Sequence, residues 1–163
     1  MQNQSIRLQR EDWGPRFWFI LHTLAECSGN QGNKILQNDE ADAWVILIKA
    51  QAHVMPCKLC KEHFLQWIIK KRLDGLRTLQ GENRREFLRG WVWGCHDNVN
   101  TMNHKLGPCL EECSSLYPKQ SIGPALAELQ TMFQVACTKQ LLQVDAVQAW
   151  KKACHRLRLL YGV

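Results

Sequence analysis

Apolar residues recur at helical spacing along most of the chain. In the first such segment, residues 12–28, the positions that align at intervals of three and four are Trp13, Phe17, Leu21, Leu24 and Ser28. This spacing places side chains on one face of an α-helix. The alternation of apolar and polar residues that is typical of strands does not occur in the sequence. The pattern therefore predicts an all-α protein.

Five more helices are predicted downstream. Three of them cover residues 39–54, 57–73 and 83–106, with Asp39 placed to cap the first of these. Four helices of this length with short links favour an antiparallel four-helix bundle with a short extra helix. Beyond Pro118, a helix that begins at Gly123-Pro124 and another that Asp145 caps predict a C-terminal hairpin. We expect this hairpin to pack on the bundle or to form an interface.

Charge and hydropathy narrow the function classes. The net charge of +6 comes from lysine and arginine clusters on helices that also carry apolar faces, so these clusters are interpreted as solvated surface. No nucleic-acid motif accompanies them, and no nucleic-acid partner is expected. No segment approaches the ~20 apolar residues of a membrane span, and the first residues lack the apolar core of a secretory signal. We therefore expect neither a membrane span nor a secretory signal.

The eight cysteines indicate disulfides, a metal site or redox chemistry, because a chain of 163 residues can build a core without covalent links. Two of them, Cys57 and Cys60, form a CxxC at the predicted start of the third helix. The helix N-terminus favours the thiolate of Cys57, while Cys60 lies one turn inside, on the apolar face. This arrangement suits an outer sulfur that exchanges disulfides and an inner one that passes electrons to a buried acceptor.

Zinc is the main alternative for these cysteines, with His53 and His63 completing four ligands. The CxxC is not followed by a second CxxC at the spacing of a zinc ribbon. A thioredoxin-like site is disfavoured because it would need a strand-rich pattern.

Polar residues on predicted helices suggest a ligand between them. His96 and Asn100 share a face of the fourth helix, and Lys105 lies near its end. A buried histidine and asparagine need hydrogen-bond partners, which a heteroatom-rich ligand would supply, and the lysine could meet a phosphate or a ring carbonyl. The alternative is a satisfied polar core with a solvated lysine. On the first helix, Trp18 and His22 form an i, i+4 pair that core packing would equally explain.

Over about residues 10–118, these motifs together resemble the ERV/ALR family of FAD-linked sulfhydryl oxidases. The family pattern has W-x-x-x-H on the first helix, P-C-x-x-C on the third, and H-N-x-V-N followed five residues later by Lys on the fourth. The matching residues here are Trp18 and His22, then 56–60, then 96–100 with Lys105.

The resemblance implies FAD at one end of the bundle, with Cys60 facing the flavin and Cys57 exchanging disulfides with substrates. Electrons would pass from a protein dithiol through this cysteine pair to FAD and then to O2, giving hydrogen peroxide. The resemblance also implies that the chain forms a homodimer and that it binds no metal ion. The implied cofactor contacts are Trp18, His22, Cys60, His96, Asp97, Asn100, Lys105 and Tyr117.

The sequence departs from the family pattern at several positions. Asp97 replaces the usual Asn and can only accept hydrogen bonds when ionised, and Met55 replaces an aromatic residue. The family's structural disulfide begins three residues before the motif histidine. Cys95 is one residue before it, and the parallel implies a Cys95–Cys109 disulfide. Tyr117 stands in for a Trp as the expected neighbour of the adenine.

Many members of the family carry a second, mobile cysteine pair that relays electrons to the CxxC. Cys137 with Cys154, or Cys109 with Cys113, are the candidates here, and Cys27 is unplaced. The alternative for the first pair is two small, buried apolar side chains.

The expected organisation is a polar tail (1–9), an FAD-binding sulfhydryl oxidase domain (10–118) and a C-terminal helical extension (119–163). A zinc-binding helical interaction module and a catalytically inactive family member with an assembly role are the competing functions. The first residues of the domain are similar to those of family members encoded by large DNA viruses. This similarity implies that the protein works in the host cytoplasm or in the virion. The mitochondrial intermembrane space is the alternative compartment.

Overall fold

The computed structural model describes residues 8–163, and every regular element in that range is helical, as predicted. Most of the predicted N-terminal tail lies outside this range. Among the described residues, no helix has both the length and the apolar composition needed to cross a bilayer. The elements are α1 (Arg10–Glu26), α2 (Lys34–Ala52), α3 (Lys58–Lys70), α4 (Gly81–Met102), a short 3-10 helix (Leu110–Glu112), α5 (Cys113–Leu116), α6 (Gly123–Thr138) and α7 (Val144–Tyr161).

Two predicted helix caps are wrong. Helix α2 begins at Lys34, because the side chain of Asn33 accepts a backbone N–H bond of 2.9 Å and caps it, and Asp39 lies within the helix. Helix α7 begins at Val144, which places Asp145 in its first turn. A carboxylate stabilises a helix from either the cap or the first turn, so the residue type alone does not separate the two positions. The predicted Gly-Pro start of α6 is confirmed.

The helices share one hydrophobic core. Helix α1 packs against α4 and α6, α2 packs against α3 and α7, and the last two helices pack on each other. The predicted C-terminal hairpin therefore lies on the other helices and contributes to their core. The boundaries of the predicted domains stay a prediction. The large side chains with almost no exposure include Leu21, Leu24, Trp44, Leu47, Phe133, Trp150 and Leu157.

A buried polar network ties the hairpin to the helices before it. Glu40 accepts hydrogen bonds from the backbone N–H of Gly29 (2.8 Å) and from the Tyr161 hydroxyl (2.6 Å). Its other oxygen pairs with Arg84 Nη1 at 2.9 Å. The Tyr161 hydroxyl in turn accepts from Trp44 Nε1 at 2.8 Å. Burial, with the neighbouring carboxylate, holds the pKa of Tyr161 well above its usual range. Helices α2, α4 and α7 are thus joined by bonds that water cannot easily replace.

Truncation of Leu157 tests whether the hairpin belongs to the cooperative core. Leu157 is fully buried, and Leu157→Ala is expected to cost about 2–5 kcal/mol of unfolding free energy, as for other core leucines. Leu159 on the same helix is 70% exposed, and Leu159→Ala is the matched control with an expected cost within about 0.5 kcal/mol. Urea denaturation measures both. Equal effects of the two variants would mean that α7 unfolds separately from the rest.

Candidate active site

The CxxC lies where the link after α2 meets the first turn of α3. Cys57 is the N-terminal cap of α3, and its Sγ accepts a hydrogen bond of 3.2 Å from the backbone N–H of Cys60. The two residues form a disulfide, with their Cα atoms 5.2 Å apart. The free backbone N–H groups at this helix end favour negative charge on a sulfur released by reduction. The local structure is therefore that of a reducible pair with a stabilised thiolate.

Only one of the two sulfur-bearing residues lines an internal cavity. Cys60 forms part of the wall of a cavity of about 140 Å³ between α1, α3 and α4, whereas Cys57 does not. The indole nitrogen of Trp13, another wall residue, is buried without a hydrogen-bond partner. The remaining wall includes Phe17, Trp18, Met55, His63, Phe64 and Val99. The pair is thus asymmetric, with Cys60 facing inward.

Four rings form an aromatic cluster beside this cavity. The rings of Trp18 and His96 stack with centroids 4.2 Å apart and an interplanar angle of 6°. The rings of His22 and Tyr117 stack in the same way, at 4.3 Å and 6°. The two stacks are joined by a hydrogen bond of 2.9 Å between His22 Nε2 and His96 Nδ1. One imidazole donates this bond and the other accepts it.

Both histidines of the cluster are neutral at pH 7. Burial, together with a smaller effect of the neighbouring His96, lowers the pKa of His22 to about 3. Burial also lowers the pKa of His96 to about 4, against the opposing effect of Asp97. The cluster therefore presents flat, uncharged rings, and one N–H···N hydrogen bond joins its two imidazoles.

A second cavity, of about 380 Å³, adjoins the first and shares Trp18 and Val99 with it. Its wall brings His96 and Asn100 of α4 together with Tyr117 and the exposed Lys105. The backbone N–H of Lys105 bonds to the Asn100 carbonyl at 2.9 Å, which closes the end of α4. The two cavities together are in the size range of small-molecule pockets, ~300–1,000 Å³.

The structure brings most of the predicted cofactor residues together. The residues around the two cavities and the aromatic cluster are Trp18, His22, Cys60, His96, Asn100, Lys105 and Tyr117. The carboxylate of Asp97 opposes the lowering of the His96 pKa, but Asp97 lies in the wall of neither cavity. The sequence did not indicate Trp13 or the Arg10–Asn103 hydrogen bond of 2.8 Å at the cavity rim. Helical spacing assigns Trp13 to the core and cannot reveal its unpartnered N–H.

The predicted Cys95–Cys109 disulfide is not formed. Cys95 is 1% exposed within the hydrophobic core, where burial raises the pKa of its thiol. Cys109 is exposed at the start of the 3-10 helix, and both cysteines are free. Two residues before Cys95, Trp93 of α4 does reach this segment, because its Nε1 donates to the Pro108 carbonyl at 2.9 Å. The prediction is wrong because position 95 faces the core.

The other candidate relay cysteines are also free. Cys154 is fully buried, which raises the pKa of its thiol, and Cys137 is half-buried. Burial raises the pKa of Cys113 to about 11, and its sulfur lies 3.6 Å from the Cys109 carbonyl. A relay thiol must be accessible and able to ionise, so the geometry of Cys154 and Cys113 does not favour that role. The relay stays a prediction, and Cys154 has the environment of a small apolar side chain.

The residues of the zinc alternative do not form a ligand set. Within residues 8–163, no three His, Cys, Asp or Glu side chains are arranged to hold a metal ion. His53 is exposed on the surface, and His63 lies in the wall of the Cys60 cavity. What the structure shows around the CxxC is a disulfide with Cys60 in the wall of a cavity.

Comparison with known proteins agrees with this class of site. Residues 15–120 match the Erv1/Alr family, and the chain belongs to that family. It is 30% identical over 110 residues to the FAD-linked sulfhydryl oxidase of African swine fever virus (isolate Pig/Kenya/KEN-50/1950), covering 68% of this chain and 82% of the relative. No solved structure matches the chain.

Two plant proteins are also similar to the chain. The FAD-linked sulfhydryl oxidase ERV1 of Arabidopsis thaliana is 29% identical over 104 residues, which cover 64% of this chain and 47% of the relative. The ERV1 of Oryza sativa subsp. japonica is 25% identical over 111 residues, which cover 68% and 50%. The chain thus spans about half the length of these two plant relatives.

The neutral histidine pair predicts a pH-dependent stability. Because the folded-state pKa of each imidazole lies below the ordinary value of 6.5, the stability is fully present above pH 6.5 and is lost as pH falls towards 4. Each imidazole adds a slope of up to about 1.4 kcal/mol per pH unit. Urea unfolding at pH 5, 6 and 7 should show this loss, and His96→Gln should show a shallower one. The exposed His155→Gln is the matched control, and equal slopes in all three proteins would contradict the account.

Proposed function

We propose that the protein is an FAD-dependent thiol oxidase that forms disulfides in protein substrates. The observation that carries this proposal is the position of Cys60, which links a disulfide at a helix N-terminus to a cavity beside an aromatic cluster. Membership of the Erv1/Alr family supports the same chemistry. So do the names of the similar viral and plant proteins, which are FAD-linked sulfhydryl oxidases.

The residues around the two cavities fit FAD. Trp18 and Tyr117 offer flat faces for ring systems, and the unpartnered Trp13 Nε1 is a donor that a ring heteroatom would satisfy. The Asn100 amide can donate and accept, and Lys105 supplies positive charge at the exposed side. When bound, FAD supplies an acceptor for two electrons that can be reoxidised by O2, with hydrogen peroxide as product.

The cysteine chemistry follows from the asymmetry of the pair. A substrate thiolate attacks the Cys57 sulfur, the Cys57–Cys60 bond breaks, and Cys60 leaves as a thiolate in the cavity wall. A second substrate thiol then attacks the substrate sulfur of this mixed disulfide. The substrate leaves as a disulfide and Cys57 leaves as a thiol. The reduced pair gives up two electrons and two protons when it returns to the disulfide.

Partners and compartment are part of the proposal. Substrates are protein dithiols, O2 is the final acceptor, and the chain acts as a homodimer, which analytical ultracentrifugation would test. The viral relative is matched over 82% of its length and the plant relatives over about half of theirs. This favours host cytoplasm or the virion over the mitochondrial intermembrane space as the working compartment.

An oxygen electrode tests the proposed function. Purified chain reconstituted with FAD should consume one O2 and form one hydrogen peroxide for every two thiols lost, with dithiothreitol or a reduced, unfolded protein as substrate. A chain that takes up FAD but consumes no O2 would instead support the inactive assembly role. A chain that takes up no FAD and holds stoichiometric zinc would support the zinc module.

A further inference from the structure

The segment between α4 and α6 carries two of the residues that face the second cavity. Lys105 lies at its start and Tyr117 at its end, where the Tyr117 ring stacks on His22. The regular structure in this segment is limited to the short 3-10 helix and the single turn of α5. Such a segment has few backbone bonds of its own, so its position depends on contacts from neighbouring helices.

One contact comes from Trp93 of α4. Its indole Nε1 donates to the Pro108 carbonyl at 2.9 Å, three residues after the cavity residue Lys105 and nine before Tyr117. The bond joins helix α4 to the first half of the segment, close to Lys105. It therefore limits how far the segment can move from the cavity.

A second contact comes from Arg89, one helical turn earlier on α4. Its Nη2 donates to the Ser114 hydroxyl at 2.9 Å and to the Leu110 carbonyl at 3.4 Å. Its Nε donates to Glu26 at the end of α1, at 2.8 Å. The Ser114 hydroxyl completes the triangle by donating to the other oxygen of Glu26 at 3.0 Å. With side chains 11% and 6% exposed, Arg89 and Glu26 hold this arrangement largely away from water.

The cysteines in and next to this segment do not hold it by a disulfide. Cys95, Cys109 and Cys113 are all free. A disulfide at this position would be open to attack by the thiols of substrates, whereas hydrogen bonds from an indole and a guanidinium are not.

We propose that Arg89 and Trp93 are positioning residues that clamp residues 103–118 over the cofactor pocket, independently of the oxidation state of the neighbouring cysteines. The proposal rests on the proposed function for the identity of the cofactor. The clamp itself is a property of the chain, so it can be tested with and without FAD. Its contribution is to hold Lys105 and Tyr117 in place before the cofactor binds, which lowers the ordering cost of binding.

Trp93→Phe is the direct test, because it keeps an aromatic ring and removes the donor to Pro108. Hydrogen exchange of the cofactor-free chain should become faster in residues 103–118 and stay unchanged in α1 and α2. FAD affinity, measured by fluorescence titration, should weaken about five-fold, the effect expected for one hydrogen bond. Ser114→Ala, which removes the Arg89 and Glu26 contacts of that hydroxyl, should act in the same direction.

Trp67→Phe is the matched control, because the indole nitrogen of Trp67 is buried without a partner and its loss removes no hydrogen bond. If Trp93→Phe exchanges and binds FAD like Trp67→Phe, the clamp proposal is overturned. Cys109→Ser should leave exchange and affinity unchanged. If Cys109→Ser speeds hydrogen exchange in residues 103–118 as much as Trp93→Phe does, the proposal is also overturned, in favour of a disulfide through Cys109. Failure of every variant to bind FAD would contradict the proposed function, while the exchange data would still decide on the clamp.

Discussion

Cys60→Ser is expected to lower thiol oxidation by about 10³-fold or more, the scale seen when a covalent catalytic group is removed. Cys60 is bonded to Cys57 and is the member of the disulfide that lines the cavity, so its loss removes the sulfur that joins Cys57 to the pocket. A serine hydroxyl neither forms the disulfide nor accepts the electron pair. The rate of O2 consumption with dithiothreitol measures the effect.

The control for this variant is Cys109→Ser, which removes an exposed free thiol away from the two cavities. It should keep close to full activity. Both variants should still bind FAD, because most of the pocket residues are unchanged. Comparable activity of Cys60→Ser and the unsubstituted chain would contradict the assigned role of the pair.

Arg84→Met is expected to lower the free energy of unfolding by about 3–5 kcal/mol, as for other broken buried ion pairs. Arg84 and Glu40 are both almost fully buried and pair at 2.9 Å. Removing the guanidinium leaves the Glu40 carboxylate buried with only neutral donors, those of Gly29 and Tyr161. Urea unfolding at pH 7 measures the change.

Arg77→Met is the matched control, since Arg77 forms an exposed pair with Asp42. Exposed pairs are screened by water, so this variant should shift the unfolding midpoint much less. The double variant Glu40→Gln, Arg84→Met should lose less stability than the two single changes added together, because neither charge is then left alone. Equal losses for Arg84→Met and Arg77→Met would show that the buried pair does not stabilise the fold.

Local patterns were sufficient to predict the helices and the redox pair. Cys57 follows a proline and precedes an apolar helical face, and the structure has it as the cap of α3. The i, i+4 spacing of Trp18 and His22 places both on the side of α1 that faces His96. In the hairpin, Gly123-Pro124 correctly predicted the start of α6. Each of these features depends on residues within one helix.

Features that depend on the path between helices were not predictable. Cys95 and Trp93 lie two residues apart on α4, and only the observed rotation of that helix shows which of them reaches the segment containing Pro108. The pairing of Glu40 with Arg84 joins residues 44 positions apart. Sequence charge gave no sign that either would be buried, because charged residues are almost always exposed.

The visible absorption spectrum of the purified, FAD-reconstituted chain, before and after addition of dithiothreitol in air, tests the central claim most directly. The account predicts an oxidised-flavin spectrum that bleaches on addition of the dithiol and recovers as the dithiol is consumed, while hydrogen peroxide accumulates. A chain that remains colourless after reconstitution, or whose bound flavin stays oxidised in the presence of the dithiol, would contradict it.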